Sequence, residues 1–436
     1  LSEYKQIVDS HGATDFVGYA NLSAESKISG ILLDGISVKS AQAGDDVEIV
    51  LERTPFYAEG GGQLADGGLI TLGNGAIIEI DDVQSPVTGL SVHRGRVLSG
   101  GLTLGDAALA EIDQERRSAI SRAHTATHMV HKAFREVLGE TATQAGSENS
   151  PGRFRFDFPA TGALSEGVLD EVEARVNTLL LDNLEVSAEV MSQDEAKKLG
   201  AMALFGEKYG DRVRVVSVGD WARELCGGTH VARSGQLGVI KLLSESSIGA
   251  GVRRVEAIVG VDAYRFLARE HMLLNSLTGL IRGARTEELP ERISDLLTKM
   301  KDIEKELAAL RSASAMSDLS SVASQAKNLG GTSVILTKVA EGIVVDDLRK
   351  IALDLRNRNV DSVVGLISVC DGKPVLVIAV SDAARAKGHK AGALVKIGST
   401  VLGGGGGGKD DFAQGGGTDA SKSLEALTAI SNALVG

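Results

Sequence analysis

Four side chains in this sequence are of the types, and at the spacings, that hold a divalent metal ion. His124 and His128 stand four residues apart, so in a helix both imidazoles share one face and can grip one ion. Far downstream, Cys226-Gly-Gly-Thr-His230 sets a thiolate and a third imidazole four positions apart on a glycine-loosened turn. Nitrogen and sulfur donors in that combination suit a tetrahedral ion, zinc above others. Histidine pairs at this spacing are common, and neither pair alone says much. Yet His124, His128, His131 and His230 are four of the eight histidines, and Cys226 is one of two cysteines. That concentration favours a site over coincidence, with His131 as a solvated or outer neighbour. Thr125 follows His124, so the carboxylate base of HExxH metalloproteases is missing and peptide hydrolysis is disfavoured.

Two glycine-rich segments offer further chemistry. In Thr54-Pro-Phe-Tyr-Ala-Glu-Gly-Gly-Gly-Gln63 three glycines allow close backbone approach, and the Thr54 hydroxyl and Gln63 amide can read a small polar group. The bland reading is a hairpin corner. The tail carries Gly403 to Gly408 and then Lys409-Asp-Asp-Phe-Ala-Gln414. Asp410 stands where a P-loop needs Ser or Thr for magnesium, which excludes a nucleoside triphosphate site. A glycine nest that cradles a backbone phosphate of nucleic acid is the better reading, with Gly405, Gly408, Lys409 and Gln414 as the contact residues.

The elements that must position these groups are mixed α+β. Short alternating segments from Ile28 to Gly105, with Val47, Ile49 and Leu51 on one face, predict a small β-barrel or sandwich. Asp113 is placed to cap a helix over Gln114 to Leu138 whose stripe runs Ile120, Ala123, Thr127, Val130, Phe134 and Val137, and Gly139 stops it. A helix over Ser165 to Asn183 and strands over Arg212–Val218, Gly238–Ser244 and Arg253–Val259 follow. From Ala263 to Ser312 the pattern is helical. Leu289, Ile293, Leu296, Met300, Ile303, Leu307 and Leu310 alternate as coiled-coil seam positions; an intramolecular hairpin and a dimer interface through 289–310 are equally good readings. Ser312 to Leu329 reads as a polar hinge. Strands over Val334–Val339, Ser362–Val369 and Pro374–Val380, a helix over Asp346–Leu355 and a final helix from Ser421 make a small α/β domain. The expected organisation is a barrel part at 1–112, a metal-binding domain at 113–262, a helical coiled-coil linker at 263–328 and a Gly-rich globular domain at 329–436.

The 436 residues suit several domains. No apolar run reaches the roughly 20 residues that span a bilayer, and two cysteines are too few for a disulfide framework. No signal-peptide pattern opens the chain. These features point to the cytoplasm. The net charge of −12 argues against a globally basic nucleic-acid coat while leaving room for a local basic patch. Leu1 in place of Met suggests part of a longer polypeptide.

His124-Thr-Ala-Thr-His128, Gln144-Ala-Gly-Ser147, Cys226-Gly-Gly-Thr-His230, Gly249-Ala-Gly-Val-Arg-Arg254 and Thr54-Pro-Phe-Tyr57 with Gly60-Gly-Gly-Gln63 together resemble the editing domain of the alanyl-tRNA synthetase family. The Gly403 to Thr418 loop resembles that family's C-terminal domain, so the resemblance covers essentially the whole chain. What is lacking is the class II aminoacylation core that precedes this region. The resemblance implies hydrolysis of tRNA(Ala) wrongly charged with serine or glycine, with zinc on His124, His128, Cys226 and His230. It places Thr54, Thr127 and Gln144 around the substrate, and Arg253 near the terminal adenosine or its phosphates. It further implies a C-terminal domain that docks tRNA and aids dimerisation. Gly-Gly-Lys-Asp-Asp in the tail loop departs from the Arg then Pro common in the family, with Lys409 as the basic residue of the loop.

Two other readings stay open. One is a free-standing trans-editing deacylase of the same superfamily. The other is a nucleic-acid-binding module with a structural zinc, since the tail also resembles the substrate-binding domain of DHH-type phosphoesterases. Four protein ligands would complete a tetrahedral shell and leave no place for water. Either Cys226 or His230 gives way to substrate, or water is activated elsewhere.

Overall fold

The computed structural model describes residues 2–160, 162–203, 210–281, 284–317 and 319–435. The chain divides into two compact units, Leu1–Ser276 and Leu277–Gly436.

In the first unit six antiparallel strands close into a small barrel. Ala107–Ile112, Gly68–Leu72, Ile77–Gln84, Val92–Ser99, Asp46–Leu51 and Ser23–Leu33 follow one another around it, and Ala107–Ile112 pairs back onto Ser23–Leu33. Alternation explains the closure. Val47, Ile49 and Leu51 are buried together with Ile28, Ile70, Ile78 and Ile80, and these side chains fill the interior.

The helix Gln114–Leu138 starts directly after the last barrel strand. Asp113 Oδ1 accepts from the Arg116 N–H at 3.0 Å, and Gly139 ends the helix with φ 93°. Ile120, Ala123, Thr127, Val130 and Phe134 are buried on it as the stripe predicts. They meet a second sheet, ordered Gly146–Ser150, Arg153–Pro159, Val252–Val259 and Ile240–Gly249. Phe154, Phe156 and Phe158 alternate with Arg153, Arg155 and Asp157, so all three rings face the helix, where Phe134 stacks 5.1 Å from Phe158. The helix Glu166–Leu181 packs on the same core through Val172 and Val176. A third sheet, Val186–Ser192, Arg212–Val218 and Ala222–Leu225, runs straight into Cys226.

The joint between barrel and helix is a buried ion pair. Arg117 Nη2 lies 2.5 Å from Asp66 Oδ2, and both residues are almost fully buried. The remaining guanidinium hydrogens donate to the Gly18 and Pro55 carbonyls, while Asp66 also accepts from the Tyr57 N–H. A fully satisfied pair tolerates burial.

In the second unit a six-stranded sheet runs Lys327–Leu329, Thr332–Lys338, Ser362–Cys370, Lys373–Val380, Phe412–Gly416 and Gly406–Gly408. Only Thr332–Lys338 and Ser362–Cys370 are parallel, joined by the crossover helix Val345–Asn357. That helix covers one face; Ala391–Val401 and Ser423–Val435 cover the other. Ser362–Cys370 is buried almost throughout, as an apolar run covered on both faces must be.

Three expectations change. The helical stretch from Ala263 to Ser312 is two helices, Val261–Leu280 and Leu289–Ser317, the second with Pro290 in its first turn where no N–H partner is needed. That second helix runs on to Ser317, into the expected polar hinge, because Ala and Ser there sustain helix; Asp318 lies outside the described residues. The tail glycines form no nest. Gly406–Gly408 is an extended edge strand paired with Phe412–Gly416, and of the run Gly403 to Gly408 only Gly403 has positive φ. Glycine is required there by close packing, since a Cβ on Gly406 or Gly415 would strike the Ser399 hydroxyl. Along the seam helix Leu289 is buried, while Leu296, Met300, Ile303, Leu307 and Leu310 are exposed.

Asp66→Ala, which strands the buried Arg117 charge, is expected to lower unfolding free energy by about 3 kcal/mol in urea denaturation. Arg53→Ala breaks a pair in which both partners are more than half exposed and should cost under about 1 kcal/mol. Equal, small losses in both variants would remove the buried pair as the lock between barrel and helix.

Candidate metal centre

His124 and His128 project from one face of the helix Gln114–Leu138, and the turn after Ala222–Leu225 brings Cys226 and His230 onto them. One ligand atom from each of the four lies within 4.8 Å of all the others. Cys226 Sγ is 3.4 Å from His124 Nε2 and 3.3 Å from His230 Nε2. His124, His128 and Cys226 are buried; His230 is half-buried. Such close approach needs Gly228, where any Cβ would overlap the His124 ring.

The outer hydrogen bonds fix which nitrogen faces the centre. Gln63 Oε1 accepts the Thr229 backbone N–H at 2.8 Å, which identifies it as the oxygen. The His124 Nδ1 at 2.8 Å from that oxygen must therefore carry the proton, leaving the Nε2 lone pair directed inward. Glu224 does the same for His128, whose Nδ1 lies 2.6 Å from Oε2. The His230 Nδ1 is 3.0 Å from the Thr125 hydroxyl. Three Nε2 atoms and one sulfur thus converge, and the four residues can hold one divalent cation.

Charge is arranged for that purpose. Burial alone would raise the Cys226 thiol, but His124, His128 and His230 around it hold it well below its ordinary value. Burial would lower His128, yet the Glu224 carboxylate and Cys226 thiolate raise it to about 10. Burial drives His230 down to about 3, so it is a neutral ligand at neutral pH. Burial opposes the Glu224 carboxylate, but His128 and His131 hold it below the usual carboxylate range. His131 reaches Glu224 Oε1 at 2.7 Å through Nδ1 and stays out of the cluster.

The other expected residues fall into three groups. Thr127, between the two helical histidines, has its hydroxyl 3.0 Å from the Ala123 carbonyl and 2.6 Å from Asn149 Oδ1. Half-buried Gln144 donates to Ser147 Oγ at 2.9 Å, and that hydroxyl lies against Gly62 in the barrel loop. Thr54 is fully buried: its hydroxyl donates to His93 Nε2 at 2.7 Å and accepts from the Phe56 N–H at 3.1 Å. His93 donates through Nδ1 to the Ile49 carbonyl, and burial lowers it to about 4, so it remains neutral and an acceptor. Arg253 is paired with Glu245 on the neighbouring strand, with Nη2 2.7 Å from Oε2, beside the Arg254–Asp157 pair. Gly405, Gly408, Lys409 and Gln414 are exposed in the second unit.

Sequence reasoning missed Glu224, Thr125 and Thr229. Glu224 had one available signal, a carboxylate in the strand directly before Cys226. Thr125 and Thr229 sit inside the ligand motifs but act only through folded neighbours.

Three families match successive parts of this chain. The one described as tRNA synthetases class II (A) matches residues 2–116, the Threonyl and Alanyl tRNA synthetase second additional domain matches 213–256, and the DHHA1 domain matches 331–436. Cys226 and His230 lie inside the second of these. The segment that supplies Cys226 and His230 therefore matches the second additional domain that threonyl and alanyl tRNA synthetases carry. The alanine–tRNA ligase of Nocardioides sp. is 58% identical over 98% of this chain and 48% of its own length. That of Streptomyces avermitilis is 53% identical over 99% of this chain and 48% of its own. The chain belongs with the alanine–tRNA ligases, fits their C-terminal part, and spans about half the length of the curated relatives it matches. Among solved structures, the C-Ala domain from Aquifex aeolicus alanyl-tRNA synthetase is 33% identical, covers 26% of this chain and 98% of its own, and has a TM-score of 0.24.

A bound divalent ion needs the lone pair that the His128 proton occupies in the metal-free protein. The proton persists up to about pH 10, so uptake must displace it and affinity rises with pH, by about tenfold per unit between pH 7 and 9. Calorimetry with Zn²⁺ in buffers of different ionisation enthalpy measures both the slope and the released proton. Glu224→Gln should flatten the slope and weaken binding by roughly 10- to 100-fold. A pH-independent affinity in the unaltered protein would contradict the charge assignment.

Proposed function

We propose that the first unit hydrolyses the ester of mischarged tRNA(Ala), removing serine or glycine, and that its metal is zinc. The observation that carries this is the pre-oriented tetrad of three imidazole Nε2 atoms and a thiolate, in a chain of the alanine–tRNA ligase family whose second additional domain supplies Cys226 and His230. Three nitrogens and one sulfur are a donor set that suits zinc.

When bound, such an ion supplies positive charge beside the ester. The aminoacyl ester is already activated, so oriented water and charge stabilisation suffice without a protein nucleophile. Gln63 and Glu224 hold His124 and His128 with Nδ1 protonated and Nε2 inward, and Thr125 orients the His230 ring. His230, half-buried where the other three ligands are buried, is on the open side and is the ligand best placed to give way to substrate. Thr127 and Gln144 are the polar groups for selection. A site that bonds the seryl hydroxyl rejects alanine because its own polar atoms would otherwise stay unpaired. Thr54 contributes by holding His93 and the loop toward Gln63, and Arg253, held by Glu245, is a rim cation in this reading.

For the second unit we propose tRNA docking by the exposed Gly405, Gly408, Lys409 and Gln414, with Lys409 as the phosphate contact. The exposed seam from Leu296 to Leu310 supports a homodimer contact through 289–310. No helix among the described residues is long and apolar enough to cross a membrane, and the reading places the protein in the cytoplasm.

The deciding experiment is deacylation of radiolabelled Ser-tRNA(Ala), Gly-tRNA(Ala) and Ala-tRNA(Ala) by this chain. The expected result is release of serine and glycine with alanine spared, and loss of at least about 100-fold in rate for Cys226→Ala. Intact Ser-tRNA(Ala) after prolonged incubation with zinc-loaded protein would sink the proposal and leave a binding module with a structural ion.

A further inference from the structure

A cavity of about 590 Å³ opens in the first unit directly beside His230 and Thr229. Ligand pockets commonly fall in the range of roughly 300–1,000 Å³. Its chemistry is unusual for a chain of net charge −12: among the described residues no carboxylate lines it, while Arg117, Arg122 and Arg214 do. The three arginines are not equivalent. Arg117 is neutralised by Asp66. Arg214 is spent on structure, donating to the Cys226 and Gly228 carbonyls at 2.9 and 2.8 Å and lying 4.0 Å over the Tyr19 ring. The guanidinium of Arg122, half-buried, has no hydrogen bond or ion pair among the described residues.

A half-buried guanidinium without a counter-ion is costly unless an anion visits it. Helical spacing places Ser118 one turn before Arg122 on the cavity wall, and Ser187 faces them from the strand Val186–Ser192. Hydroxyls around a planar five-donor cation form a site for phosphate oxygens. The flat Arg214–Tyr19 wall adds a surface on which a base can stack.

We propose that this cavity receives the phosphate of the 3′-terminal nucleotide of the RNA substrate, with Arg122 as its principal contact, so that the 3′ end reaches the metal centre past His230. This rests on the hydrolytic reading above and adds the direction of approach. Arg122 takes the phosphate role because its charge is free, whereas the Arg253 charge is already paired with Glu245.

The test is fluorescence anisotropy of the full chain with a labelled single-stranded RNA ending in CCA, titrated across salt concentrations, with AMP as competitor. Arg122→Ala should raise Kd about tenfold and reduce the slope of log K against log salt by about 0.7, the change for one phosphate contact on a single strand. Ser118→Asp, which puts a carboxylate into the cavity, should weaken RNA binding by at least as much. Bound zinc per chain should be unchanged in both variants, which separates a lost contact from a lost fold. Unchanged Kd and slope in either variant overturn the proposal, as does AMP binding more tightly than the RNA. Deacylation by the unaltered chain with RNA affinity insensitive to Arg122 removes this cavity alone. RNA affinity that depends on Arg122 in a chain that never deacylates removes the hydrolytic reading and leaves the phosphate site standing.

Discussion

The Gln63 side chain is the point on which the rest of the first unit depends. Its oxygen accepts from His124 Nδ1 and from the Thr229 backbone, and its nitrogen donates to the Thr229 hydroxyl, which Ser121 meets at 2.8 Å. One fully buried amide therefore ties the barrel loop, the long helix and the cysteine turn together. Buried amides left unpaired are costly, so each of these elements is held to the position that satisfies Gln63. The neighbouring Gly60, Gly61 and Gly62 let the loop descend far enough, with Gly61 and Gly62 at positive φ. Arg117 and Asp66 repeat the same joint in charged form about two turns before His124 on the helix.

The metal centre is an answer to a desolvation problem. Three imidazoles, a thiol, a carboxylate and a fourth imidazole occupy one water-poor space, where isolated charges are expensive. Without an ion the cluster balances itself by placing negative charge on Cys226 and Glu224 and a proton on His128. A divalent cation would exchange for that proton and keep the surrounding bonds intact, because among the described residues the outer partners Gln63, Glu224 and Thr125 all contact Nδ1 atoms and leave the Nε2 face to the cluster. The centre is thus prepared for a cation before it arrives.

Charge commitments also sort the arginines. On the sheet that backs the helix, Arg253 pairs with Glu245 across the hairpin Ile240–Val259, and Arg254 pairs with Asp157 on the next strand. Across the helix, no carboxylate among the described residues lines the cavity walled by Arg122. Within a chain of acidic overall charge, Arg122 leaves one uncompensated positive charge in this recess, and field focusing in a recess is stronger than on a convex surface.

The His124, His128, Cys226 and His230 cluster, the helix Gln114–Leu138 with both of its caps, the barrel and most strands of the C-terminal α/β unit were legible in the sequence because their signals are local. A four-residue spacing, a capping Asp or an alternating Val-Ile-Leu face acts between near neighbours and survives most tertiary contexts. The helix Ala391–Val401 was not legible, since Gly392 and Gly398 lower helix propensity and only packing, of Gly398 against Leu376 and Ile430 and of Gly392 against the Gly408 backbone, accounts for them. The glycine tail misled for the same reason: composition could not tell a phosphate nest from a strand pressed against a helix. Only tertiary structure decided that Glu224 orients His128, that Thr54 serves His93, that Gln63 sets the tautomer of His124, and that Arg122 carries the free charge while Arg253 does not. Each of those outcomes depends on a partner far away in sequence, and pairing energy between distant groups exists only once the fold has brought them within hydrogen-bonding distance.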